Sequence, residues 1–203
     1  MLLLSDEKKI SNKKPIFVFF LILINILFFL YSLHNFNFFI KEYGLIPQKI
    51  LEGKKILTLF TYMFLHGNLL HLLGNMWFLW VFGKNLEKKL GHLNFLKFYF
   101  ICGLFSSIFY VFFSKDLNTP LIGASGAISG ILGGYLIFFP KNQIKTLIPF
   151  FFFLEIISIP AIIFILIWFL YQLINLNIQT SVAYLAHIGG FLCGLVLAKN
   201  FKR

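Results

Sequence analysis

The chain has 203 residues, of which 59% are apolar and only 12% charged, with 29 phenylalanines. A soluble domain carries about 25% charged residues to cover its surface, so this composition excludes a cytosolic enzyme, a secreted disulfide scaffold and a disordered chain, and it places the chain in a bilayer. The net charge of +11 does not point to nucleic acid, because 17 of the 18 basic residues are lysines scattered between apolar runs, the pattern that marks the ends of membrane spans.

A helix needs about 20 apolar residues to cross the hydrocarbon. In chain order the candidate spans are Ile16–Leu33, Tyr62–Phe82, Phe95–Phe113, Leu121–Phe139, Ile159–Ile174 and Val182–Ala198. The first follows Lys8, Lys9, Lys13 and Lys14, as a signal peptide would. Its 18 apolar residues exceed a usual h-region, however, and no small-residue cleavage site follows, so it reads as a retained helix. The connection after it opens with Phe36, Phe38, Phe39 and Tyr43 and is expected to lie partly among the headgroups. Pro149 and Pro160 bracket the start of span five. Proline is best tolerated in a helix's first turn, which places the helix start near Pro160 and Thr146–Ser158 at the interface. Glu155 is then structural; a start at Leu147 would bury it and favour a transport role. Cys102 and Cys193 lie inside apolar runs and read as small buried hydrophobes.

Lysines and arginines fall 13 on one side and 5 on the other, which puts both termini in the cytoplasm. The expected fold class is all-α, a polytopic six-transmembrane-helix bundle. Residues 1–15 form a cytoplasmic segment, 16–199 the helical domain and 200–203 a cytoplasmic tail.

Polar side chains inside a span are costly and mark functional candidates. Here they cluster. Span two opens with His66-Gly67-Asn68 and continues to His71 and Asn75, span four opens with Gly123-Ala124-Ser125-Gly126, and span six carries Ala186-His187. Ser125 lies four residues into span four and His187 five into span six, both from the non-cytoplasmic side. At 1.5 Å per residue they share a level about 6–8 Å below the boundary, as a hydroxyl nucleophile and an imidazole base must. His71 and Asn75, spaced i,i+4, project from one helix face and are able to donate hydrogen bonds to a developing oxyanion, as is the backbone N–H of Ser125. Gly126 and Gly130 on span four, continued by Gly134, and Gly190 and Gly194 on span six repeat every fourth residue. That spacing lets two helices approach closely in lipid.

Each feature also has an ordinary reading. Gly and Ser are common at membrane helix contacts, His71 and Asn75 serve equally as interhelical partners, and His66 as a cap for span two. His34 and His92 fall in connections and read as solvated or interfacial. The conjunction of Ser, two His and Asn on one side, with glycine-mediated packing, favours a catalytic site. A zinc enzyme needs His-Glu-x-x-His, but Gly67 follows His66 and no Glu is near His71. No metal or other cofactor is expected.

At these residues the sequence resembles the rhomboid intramembrane serine proteases, over roughly Ile56 to Ala198. The matching features are Tyr62 through Asn68 with His71 and Asn75, Leu86-Glu87 and Gly91, Gly123-Ala124-Ser125-Gly126, and Ala186-His187 with Gly190 and Gly194. The resemblance implies a compact six-helix protease of the bacterial type in the cell membrane. Ser125 would be the nucleophile and His187 the general base, with Asn75, His71 and the Ser125 N–H forming the oxyanion hole. Its substrates would be membrane-anchored proteins, cut near the outer end of a transmembrane segment beside a small residue. Span five, with Phe164, Trp168 and Phe169, is the expected mobile wall through which substrate enters from lipid. Two features depart from the family pattern. No Trp-Arg pair lies between His34 and Phe60, and the position four after Ser125, aromatic in many members, is Ser129. The base must therefore be oriented by a neighbour from another span.

Overall fold

The computed structural model describes residues 2–6, 14–150, 153–176, 178 and 182–202. Lys8, Lys9 and Lys13, counted above as basic flank, and Arg203 lie outside the described residues.

The first apolar run forms helix α1 (Ile16–Ser32), which a short 3-10 turn joins to α2 (Phe36–Tyr43). Two short helices, α3 (Pro47–Leu51) and α4 (Thr58–Thr61), lead to a 3-10 turn at Tyr62–Phe64. The chain is extended at Leu65 and Asn68, and α5 (Leu69–Phe78) then continues through a π-helical stretch, Leu79–Gly83, into α6 (Lys84–Leu90). Helices α7 (His92–Phe113), α8 (Ser125–Phe138), α9 (Ala161–Ile174) and α10 (Tyr184–Lys202) complete the bundle. By length and composition, three stretches among the described residues suffice to cross a bilayer: Ile16–Tyr43, His92–Phe113 and Tyr184–Phe201. Ser125–Phe138 and Ala161–Ile174 are shorter apolar helices. Large side chains of α1 such as Phe19, Leu23, Leu27 and Leu30 are more than half exposed, a surface that suits lipid and not water. The protein is an integral membrane protein.

Several expectations need correction. The fold is mostly helical but not all-α. Strands β1 (Leu2–Asp6), β2 (Gln143–Phe150) and β3 (Phe153–Pro160) form an antiparallel sheet in which Gln143 pairs with Pro160 and Leu2 with Leu147. The segment read as a bare interface stretch is this hairpin, and Glu155 sits exposed on its second strand. The base of the hairpin holds α9, since the Ala161 and Ile162 N–H groups donate to the carbonyls of Asn142 and Pro140. Span two is helical only from Leu69, because Asn68 caps it: its side-chain oxygen accepts from the His71 N–H at 2.8 Å. His66 is therefore not the cap. Span four is helical only from Ser125, because Leu121 pairs with Leu45 in an extended bridge and Gly123 turns the chain at φ +113°. A side chain is disfavoured at that φ, which is why glycine stands there. Residues 200–202, assigned to a tail, are the last turn of α10.

The core is built around α8, whose residues from Gly126 through Tyr135 are all buried. Its loop is tied down before the helix begins. Asp116 accepts from the Asn118 and Thr119 N–H groups and from the Thr119 hydroxyl, which holds its carboxyl below the usual carboxylate range, the hydroxyl contributing most. The Gln48 N–H donates to the Leu117 carbonyl, so the α3 region braces the same loop.

Glu87 joins α6 to the start of α1. Its fully buried carboxylate accepts from the Phe17 and Val18 N–H groups at 2.9 and 2.8 Å and meets His92 Nδ1 at 2.5 Å. The first N–H groups of a helix lack internal acceptors, and its N-terminus favours negative charge. Pro15, at the N-cap position of α1, makes no side-chain cap hydrogen bond of its own. Glu87→Ala is expected to destabilise the fold by about 2–3 kcal/mol, read as a lowered thermal midpoint in detergent.

Candidate active site

Four side chains singled out in the sequence are brought together where α5 meets the N-terminal ends of α8 and α10. Ser125 is the first residue of α8 and His187 the fourth of α10. His187 Nε2 lies 2.8 Å from Ser125 Oγ. His71 and Asn75 face the Gly123 turn: a methyl group built on Gly123 would lie 2.8 Å from Cε1 and Nε2 of His71 and 3.5 Å from Asn75 Nδ2. The Asn75 amide nitrogen is buried and has no acceptor among the described residues. Ser125, His187, His71 and Asn75 line a cavity of about 220 Å³ whose apolar wall includes Phe78 and Trp168.

Packing of α8 against α10 sets the Ser125–His187 distance. A Cβ on Gly190 would run into the Gly126 carbonyl, and one on Gly194 into the Gly130 carbonyl. Gly126 is also pressed by the Ser106 hydroxyl of α7, which itself donates to the Ala186 carbonyl at 2.6 Å. Gly134 faces elsewhere, toward Phe98 of α7, while Gly133 meets the backbone of α10 at Phe191 and Leu195.

Two features of the site escaped the sequence reading. Gln172 of α9, 3% exposed, places Oε1 2.8 Å from His187 Nδ1. It is the one amide or charged side chain within α9, and the rule that flagged the other intramembrane polar residues applies to it equally. His66 is fully buried, has no hydrogen-bond partner among the described residues for either ring nitrogen, and packs edge-on against His71 at 5.2 Å between centroids. Ser129 does not reach the imidazole; its hydroxyl donates to the Ser125 carbonyl at 2.7 Å. The aromatic neighbours of His187 come from other positions, Trp168 at 6.2 Å and Tyr184 at 6.5 Å.

A hydroxyl hydrogen-bonded to an imidazole that is itself held at its far nitrogen is the arrangement that activates a serine for attack on a carbonyl. Free donors beside it, at the positively polarised start of α8, suit a developing oxyanion. A family model for the Rhomboid domain matches residues 53–202. The chain belongs to the rhomboid family. Rhomboid protease GluP of Bacillus subtilis is 32% identical over 197 residues, which cover 93% of this chain and 35% of that protein. RHOMBOID-like protein 6, mitochondrial, of Arabidopsis thaliana is 32% identical over 159 residues, 74% of this rhomboid chain and 45% of the plant protein. Inactive RHOMBOID-like protein 8 of the same plant is 32% identical over 99 residues, covering 49% of this chain and 28% of that one. The chain thus spans less than half the length of these relatives. Because they include both a protease and a member called inactive, membership alone does not assign an activity.

Proposed function

We propose that this rhomboid protein is an intramembrane serine endopeptidase that cleaves membrane-anchored proteins near the outer end of a transmembrane segment, using Ser125 and His187. The observation that carries the reading is the 2.8 Å approach of His187 Nε2 to Ser125 Oγ inside a cavity that also presents Asn75 Nδ2. In the proposed reaction Nε2 takes the hydroxyl proton as Oγ attacks the scissile carbonyl carbon. The resulting oxyanion accepts hydrogen bonds from Asn75, His71 and the Ser125 N–H. Collapse of the tetrahedral intermediate breaks the C–N bond, and His187 returns the proton to the leaving amine. A water then gives its proton to His187 as it attacks the acyl ester, releasing the carboxylate product and restoring Ser125.

The proposed setting is a six-helix bundle with both termini in the cytoplasm and the site toward the outer face of a cell membrane, as the lysine asymmetry supports. A 14-residue helix such as α8 rises only about 21 Å against a hydrocarbon core of about 30 Å. Its first residue is therefore set in from one boundary, at the depth where a transmembrane substrate would be cut. The wall through which substrate enters would be α9. Its Trp168 lines the cavity, Phe164 packs on Phe78 and Phe82, and Phe169 stacks on Phe191.

Purified protein incubated with a panel of single-span substrates is expected to yield fragments whose sequenced ends lie near the outer end of the span. A fluorophosphonate probe is expected to label Ser125. Intact substrates together with an unlabelled protein would favour the other reading, a rhomboid that binds transmembrane clients without cutting them. Asn75→Ala is expected to lower kcat by about 10²–10³-fold, the usual loss on removing one oxyanion donor, with fluorophosphonate labelling slowed but still at Ser125.

A further inference from the structure

Gln172 determines more than the position of a ring. Its Nε2 lies 3.0 Å from the Trp168 carbonyl one turn earlier on α9. A carbonyl oxygen only accepts, so the NH2 end of the amide must face Trp168 and the oxygen must face α10. That oxygen, in turn, only accepts, so the His187 Nδ1 it meets at 2.8 Å must carry the hydrogen. In a neutral imidazole the other nitrogen is then the acceptor, and it is the one that faces Ser125 Oγ. Donation runs in one direction, from the Ser125 hydroxyl to His187 Nε2, from His187 Nδ1–H to Gln172 Oε1, and from Gln172 Nε2 to the Trp168 carbonyl.

We infer that Gln172 is a positioning residue that holds His187 in the Nδ1–H tautomer, a role that rests on the reading of Ser125 and His187 as the reacting pair. An amide in this place carries a hazard that a carboxylate does not. Turned the other way it would present NH2 to the ring and select the useless tautomer, an error that costs about 10⁴-fold when an amide replaces the aspartate of a catalytic triad. Here the Trp168 carbonyl forbids that orientation. No carboxylate supplies the function instead: the chain's acids are Asp6, Glu7, Glu42, Glu52, Glu87, Asp116 and Glu155, none of them in α8, α9 or α10. Because both Trp168 and Gln172 belong to α9, the base is set only while α9 is docked on α10. A movement of α9 that admits substrate also releases the imidazole, and turnover waits for its return.

The test uses the full chain in liposomes with a single-span substrate and compares wild type with Gln172→Met, which keeps the side-chain length and removes the acceptor. The expected result is a kcat lower by roughly 10- to 100-fold, an unchanged KM, and slower fluorophosphonate labelling still at Ser125. Nitrogen-15 NMR of histidine-labelled protein is expected to show His187 as the Nδ1–H tautomer in wild type and as a mixture in Gln172→Met. A packing role alone would leave the tautomer unmoved. Wild-type kcat in Gln172→Met, or an Nε2–H tautomer in the wild type, overturns the inference; should the variant fail to fold, the wild-type spectrum decides. Failure of the Ser125–His187 reading looks different, because the wild type then neither cuts substrate nor takes the probe, whatever its tautomer.

Discussion

Ser125→Ala is expected to lose cleavage of every transmembrane substrate and all fluorophosphonate labelling, a fall on the order of 10⁴-fold or more, while the fold survives. Among the described residues no other hydroxyl stands in the same relation to His187: Ser129, one turn on, donates to the Ser125 carbonyl, and Ser106 donates to the Ala186 carbonyl. The structural cost is small. Ser125 occupies the first turn of α8, alanine is the best helix former, and the change removes one hydrogen bond worth about 1 kcal/mol net. The thermal midpoint in detergent should therefore stay within a few degrees of wild type. That combination matters, because a rhomboid that only binds clients would lose nothing on the same substitution. Residual cutting by Ser125→Ala, with host proteases excluded, would remove the nucleophile from the account.

The parts of this site that could be read from sequence are those encoded by local spacing. His71 and Asn75 share a face because they are one turn apart, and the run Gly126, Gly130 against Gly190, Gly194 marks two helices able to touch at their backbones. The start of α9 was legible because Pro160 cannot continue a helix begun before it, and α9 does begin at Ala161. What could not be read depends on contacts between distant segments. Apolarity alone does not separate a buried helix from an extended segment, so Leu65–Asn68 and Leu121–Ala124 fall inside the spans read from the sequence. Pairing of Leu121 with Leu45, the Asn68 cap and the Gly123 turn decide otherwise. The sheet is a similar case. Ile144, Thr146, Ile157 and Ile159 are good strand formers, but the pairing of Leu2 with Leu147 closes a loop of more than a hundred residues and leaves no local mark. Gln172 was within reach, since a lone amide in an apolar helix carries the same signal as His187. Its partner was not, because the two stand 15 positions apart on either side of the connection from α9 to α10.

Gly190→Ala is expected to do what Ser125→Ala does not, removing activity and stability together. The Cβ it adds would occupy the place of the Gly126 carbonyl oxygen, and the obstacle is backbone on a helix buried on every side, so no rotamer relieves it. The helices must separate, and the packing that fails includes the neighbouring contact of Gly194 with the Gly130 carbonyl. Overpacking of a tight core costs about 1–3 kcal/mol where side chains are able to adjust, and a backbone collision belongs at or above the upper end of that range. Function is more sensitive still. Ser125 precedes Gly126 on α8 and His187 lies three residues before Gly190 on α10, so spreading this crossing opens the 2.8 Å Ser125–His187 contact directly. A displacement of about 1 Å is enough to cost 10²-fold. The matched pair of measurements is kcat and the thermal midpoint in detergent for Gly190→Ala and for Gly74→Ala, a glycine of α5 with nothing within 4 Å of its added Cβ. Gly74→Ala should leave the midpoint near that of wild type. Equal midpoints for the two variants would show that the α8–α10 crossing does not set the geometry of the site.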